Sequence, residues 1–184
     1  MPALETPPVK LGWKAADFSL RGTDGKIYGL KDVRGSKGLL VSFICNHCPF
    51  VQAIADKLAQ EARELAGLGI GSVAIMSNDF SEYPEDSLDK MVLFKAKHNF
   101  SFPYLLDETQ EIAKAYGAIC TPDFFGFDAD LNLRYRGRLD DSGMKHVENA
   151  KRDLFEAMKQ VASTGQAPET QPPSIGCSIK WRAA

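Results

Sequence analysis

Leu39-Leu40-Val41-Ser42-Phe43-Ile44-Cys45-Asn46-His47-Cys48-Pro49-Phe50 joins an apolar run to two cysteines separated by two residues. A helical pattern follows at once. Strand, Cys-x-x-Cys, then helix is the context of a redox dithiol in an intracellular chain. The chemistry comes from the helix start. Its first N–H groups lack backbone partners and carry partial positive charge, which favours a thiolate over a thiol. A free cysteine titrates near about 8.5, and this address brings it to near or below neutral. The spacing assigns Cys45 as the nucleophile at the helix start and Cys48, one turn on, as the thiol that resolves a mixed disulfide. A cationic His47 beside Cys48 would stabilise the thiolate further.

On either side of this stretch the chain alternates strand and helix signals. Asp17-Phe18-Ser19-Leu20 and Ile27-Tyr28-Gly29-Leu30 flank Asp24-Gly25 as a hairpin. Val51, Ile54, Leu58, Ala62 and Leu65 recur at helical spacing, ended by Gly67 and Gly69. Residues 70–76 form a second buried-type strand. A helix follows to about His98, with Pro84 in its first turn. Residues 103–106 are a short strand. Asp107 and Gln110 resemble a capping box for the next helix, closed by Gly117. Residues 122–127 and 131–135 form a hairpin around Asp128-Ala129-Asp130. Met144, Val147, Leu154, Phe155, Met158 and Val161 mark a final helix. The order gives an α/β class with parallel central strands and an antiparallel edge. Residues 1–163 read as one domain and 164–184, richer in Gly, Pro, Gln and Ser, as a C-terminal tail.

The 184 residues are enough for one core. Lys and Arg number 22 against 24 Asp and Glu, a net charge of −2, with no basic run for nucleic acid. No apolar stretch reaches the ~20 residues of a membrane span, and no signal segment is visible at the amino terminus. A cytoplasmic location is therefore expected, where the four cysteines, Cys45, Cys48, Cys120 and Cys177, serve catalysis rather than stapling. An all-thiolate zinc site is disfavoured because Cys120 and Cys177 stand alone rather than as a second pair. No metal and no cofactor is expected. Asn78, Asp79, Glu82, Glu85 and Asp86 form a largely acidic loop, read mainly as a solvated helix start, although one acid there is a candidate base. His98 and His146 read as surface residues.

Residues 10–160 resemble a thioredoxin-fold protein of the peroxiredoxin-like (AhpC/TSA-related) group. The likeness rests on Asp17-Phe18-Ser19-Leu20 with Asp24-Gly25-Lys26, on the Cys45–Cys48 turn, and on Tyr116-Gly117-Ala118-Ile119-Cys120-Thr121-Pro122-Asp123-Phe124-Phe125. It implies a thioredoxin-like fold, a central mixed β-sheet flanked by helices with an N-terminal β-hairpin extension. It also implies that Thr121 and a cis Pro122 face the dithiol and bind substrate. Asn46-His47-Cys48-Pro49 with the terminal Gly176-Cys177-Ser178-Ile179-Lys180-Trp181 resembles a subgroup of that family. Two departures stand out. Leu39 occupies the position of thioredoxin's buried acid, and Cys45 occupies the threonine position of peroxiredoxins.

The implied activity is thiol–disulfide exchange with protein or low-molecular-weight thiols and disulfides. The alternative is an antioxidant thiol peroxidase, with Cys48 attacking peroxide and Cys45 resolving. Cys120 or Cys177 is a candidate third thiol that accepts or relays oxidation. No nucleic-acid or membrane partner is expected, and the oligomeric state is left open.

Overall fold

Alternation along residues 39–43 sets the architecture. In the computed structural model, which describes residues 2–184, this run is a strand buried on both faces. In chain order the elements begin with β1 (Ala3–Glu5), β2 (Leu20–Gly22), β3 (Ile27–Tyr28), α1 (Leu30–Val33) and β4 (Gly38–Phe43). Next come α2 (Pro49–Ala66), β5 (Ile70–Met76), a 3₁₀ turn (Pro84–Asp86), α3 (Leu88–Lys97), β6 (Tyr104–Leu106) and α4 (Glu111–Tyr116). The chain ends with β7 (Cys120–Thr121), β8 (Asp123–Asp128), β9 (Leu133–Arg136), α5 (Asp153–Thr164) and β10 (Ile175–Ser178).

The main sheet runs β3-β2-β6-β5-β4-β8-β9. β4 pairs parallel with β5 and antiparallel with β8, so it lies inside the sheet. Leu40 and Ile44 join α2, α3 and α5 in one core. Leu39, Val41 and Phe43 join α1 and α4 in the other. Period-two alternation thus feeds two cores, and an apolar residue is needed at nearly every position. The fold is a mixed α/β thioredoxin-like fold with the expected N-terminal hairpin, in the register Leu20↔Tyr28.

The structure changes several expected boundaries. The first arm of the hairpin, β2, begins at Leu20 rather than Asp17. Pro84 opens the 3₁₀ turn, and α3 starts only at Leu88. Met144 and Val147 are exposed and lie outside α5, which begins at Asp153. His98 is buried, its ring packed at a tilt against Phe94 and its Nδ1 2.7 Å from Asp56, whereas His146 is exposed as expected.

Residues 175–178, within the segment read as a tail, are a strand at the centre of a second sheet, β1-β10-β7. Cys177 lies opposite both Ala3 and Thr121. β7 and β8 flank Pro122, so the two sheets meet at that residue.

Candidate active site

Pro49 lacks an N–H and has a fixed φ, which suits the first helical position. α2 accordingly begins at Pro49 and its N-cap is Cys48, not Cys45. Cys45 stands three residues earlier, just beyond β4. The expectation that Cys45 occupies the helix start is therefore corrected: Cys48 does.

The two sulfurs have opposite surroundings. Cys48 is held down to about 4 from an ordinary 9, first by the hydrogen the Cys45 thiol donates to it, then by Cys177, the Val51 amide and Thr121, against the cost of burial. The Val51 N–H acts as part of the helix dipole rather than as a formed side-chain cap. The Thr121 carbonyl oxygen, 3.2 Å away, favours the protonated thiol instead, so the donors outweigh it. Cys45 is pushed well up, first by donating to Cys48, then by burial and the Asp86 charge. Its sulfur lies 3.5 Å from Thr121 Oγ1. Cys45 and Cys48 are about 1% and 0% exposed.

The turn between the cysteines is clamped by one acid. Asp86, fully buried, accepts from the Asn46 amide at 2.7 Å, the His47 amide at 3.3 Å and Asn78 Nδ2 at 2.9 Å. Its other contact is His47 Nδ1 at 2.6 Å. Asn46 is held further by the Tyr104 hydroxyl at 2.9 Å. Asp86 belongs to the acidic loop read mainly as a solvated helix start. It is instead the buried acid of the site, supplied from the turn beyond β5, while Leu39 on β4 is a buried apolar residue. His47 is paired with this carboxylate and stacked on Tyr83, ring centroids 5.5 Å apart, rather than aimed at Cys48.

Cys45, His47 and Asp86 also place ligand atoms within 4.8 Å of one another. Both Asp86 oxygens are already engaged by hydrogen-bond donors, so the set fits a resident metal poorly.

Thr121 contacts both cysteines, and its peptide bond to Pro122 is cis. Asp123 anchors this corner by accepting from the Ile119 amide at 3.1 Å and pairing with Arg136 at 2.8 Å. Sequence reasoning missed this pair, since the two residues meet only when β8 pairs β9. Cys120 is fully buried, its sulfur 3.6 Å from the Pro122 carbonyl, and burial pushes its thiol well up. Cys177 is half-buried, with its sulfur 3.0 Å from that of Cys48. A cavity of about 510 Å³ opens beside these residues, lined in part by Phe50, Ile54, Pro122, Phe124, Met144 and Ile175.

A thioredoxin-like fold with a cysteine pair at a helix mouth and a cis-proline opposite defines a redox protein of the thioredoxin superfamily. Within it the chain belongs to the AhpC/TSA family, whose model matches residues 11–136. An uncharacterised conserved protein of Geobacillus kaustophilus is 44% identical, with a TM-score of 0.94 over 100% of this chain and 98% of that one. A hypothetical protein of Sinorhizobium meliloti 1021 is 41% identical, with a TM-score of 0.92 over 98% and 99%. The thiol-disulfide oxidoreductase ResA of Bacillus thuringiensis subsp. konkukian is 26% identical over 129 residues, which span 66% of this chain and 66% of ResA. Among the described residues no helix is long and apolar enough to cross a membrane.

Proposed function

We propose that this protein is a thiol–disulfide oxidoreductase in which Cys48 is the nucleophile. The roles expected from the spacing alone are thereby exchanged. The observation that carries this reading is the N-cap position of Cys48, with donors converging on its sulfur and Cys45 beside it as a protonated thiol. In the forward step β10 moves Cys177 off the buried Cys48 sulfur, and the Cys48 thiolate attacks one sulfur of an external disulfide. That S–S bond breaks and one thiolate leaves. Cys45 then loses its proton, attacks the Cys48 sulfur and expels the second thiolate, leaving a Cys45–Cys48 disulfide. Two protein thiols are oxidised and one external disulfide is reduced. Thr121 and Pro122 form one wall of the site. The adjoining cavity has a mixed lining, apolar at Phe50, Ile54 and Phe124 and charged at Arg138, Asp141 and Lys145, which suits an amphipathic thiol- or disulfide-bearing partner. The likeness to ResA supports this reaction class.

The test is the site of adduct formation with oxidised glutathione. In Cys45→Ser/Cys177→Ser, one glutathione stays on Cys48, mapped by mass spectrometry, and Cys48→Ser has no exchange activity. Stable adduct on Cys45 with activity retained in Cys48→Ser refutes the assignment.

The peroxidase reading draws on the Cys48-Pro49 helix start and on the family match. In it, the Cys48 thiolate attacks one peroxide oxygen, the O–O bond breaks and water or an alcohol leaves, and Cys45 then condenses with the resulting sulfenic acid to form the disulfide and release a water. Cys45 replaces the threonine of peroxiredoxins, which weighs against it. Peroxide consumption by stopped flow, compared with the rate of disulfide exchange, separates the two.

A further inference from the structure

The edge of β7 at Thr121, where the family resemblance implies that substrate binds, is filled by the chain's own β10. Cys177 pairs with Thr121 and Ser178 with Cys120 in antiparallel register. Gly176 permits the approach, since a Cβ there would overlap the Thr121 carbonyl oxygen. The strand is pinned on both sides of the cysteine. Ser174 Oγ donates to the Pro122 carbonyl at 2.7 Å, and the Ile179 amide to the Ile119 carbonyl at 3.1 Å. The Lys180 amide donates to Asn78 Oδ1 at 2.9 Å, and the Asp79 amide to the Lys180 carbonyl at 2.8 Å. These bonds hold the Cys177 sulfur 3.0 Å from that of Cys48. Of the four cysteines, Cys45, Cys48 and Cys120 are buried and only Cys177 reaches the surface.

From this geometry we infer that Cys177 is a third redox cysteine, held by β10 as a resident partner that resolves Cys48 before Cys45 does. The inference rests on the reading of Cys48 as nucleophile. After Cys48 has attacked an external disulfide, Cys177 loses its proton to solvent and attacks the Cys48 sulfur. A Cys48–Cys177 disulfide forms and the external thiolate leaves. Cys45 can then attack Cys48 in turn, releasing Cys177 and moving the disulfide inward with no net change in oxidation. The sequence of events has an electrostatic cause. Burial first, and then the hydrogen bond to Cys48 and the charge of its thiolate, hold the Cys177 thiol up at about 11. Once Cys48 is tied up in a mixed disulfide that charge is gone, and Cys177 ionises more readily. Cys45 keeps the Asp86 charge and deep burial against it. Cys120 has neither the exposure nor the thiol contact, and its role is packing.

The experiment uses the full chain with oxidised glutathione, quenched in acid, alkylated and mapped. Cys45→Ser is expected to yield a Cys48–Cys177 bridge and no retained glutathione. The unsubstituted chain, quenched early, yields that bridge before Cys45–Cys48. Cys177→Ser slows release of glutathione at least tenfold. A Cys45→Ser protein that keeps glutathione on Cys48 while Cys177 is freely alkylated overturns the inference and leaves the nucleophile assignment standing. Failure of Cys45→Ser/Cys177→Ser to take up glutathione on Cys48 overturns both.

Discussion

Two residues, Asn46 and His47, separate Cys45 from Cys48, and that interval reverses their chemistry. The pair, its spacing and the family of the site were legible in the sequence. The phase of the helix was legible too, in Pro49, because proline is accommodated at the first helical position and makes the preceding residue the cap. Asp86 was harder to place. An acid at the start of a short turn ordinarily faces water, and only the folding of the loop onto the Asn46–His47 turn buries it. Asp86→Ala leaves the Asn46 and His47 amides and Asn78 Nδ2 without their acceptor. We expect a loss of about 1–3 kcal/mol in urea unfolding, together with slower disulfide exchange. Stability within ~0.5 kcal/mol of the parent would mean that the clamp contributes nothing beyond an ordinary surface substitution.

At the level of elements, β10 had a signal that composition masked. Ile175, Cys177 and Ile179 alternate as a strand does, but Gly, Pro, Gln and Ser around them point to a tail. The strand's partners, β1 and β7, lie 174 and 56 residues away by the registers Ala3↔Cys177 and Thr121↔Cys177, and no local pattern encodes such pairings. Met144 and Val147 misled in the opposite sense, being apolar at helical spacing yet exposed in the loop before α5. Gly176→Ala tests the close approach of β10 to Thr121. The added methyl forces the strand outward, so Cys177 in the reduced protein should alkylate several-fold faster with iodoacetamide. An unchanged rate would show that the strand's seat does not depend on this glycine.

For the molecule as a whole, the alternating order of strands and helices was sufficient for the α/β class. The two-faced burial of β4 explains why its sequence is almost unbroken in apolar residues. A pH dependence follows at this scale. The folded state holds Cys48 at about 4 against an ordinary 9. A depressed acid stabilises the folded state fully above its unfolded pKa, and that stability is lost as pH falls toward the folded value. Glu61, pushed up to about 7 by burial, works in the opposite direction between about 4.5 and 7. The comparison that isolates Cys48 is reduced parent against reduced Cys48→Ser, both unfolded in urea. Their difference in stability should shrink steadily as pH is lowered from 9 to 4. A difference independent of pH would leave Cys48 an ordinary thiol. The same stabilisation of the reduced form favours a more oxidising dithiol than thioredoxin, whose potential is near −270 mV.

The most direct measurement is the thiolate absorbance at 240 nm of the reduced protein, titrated from pH 9 to pH 3. We expect one ionisation with a midpoint near 4 that is retained but displaced upward in Cys45→Ser, which loses the Cys45 thiol donor, and that disappears in Cys48→Ser. An ionisation that survives in Cys48→Ser and vanishes in Cys45→Ser would contradict the assignment of Cys48 as nucleophile.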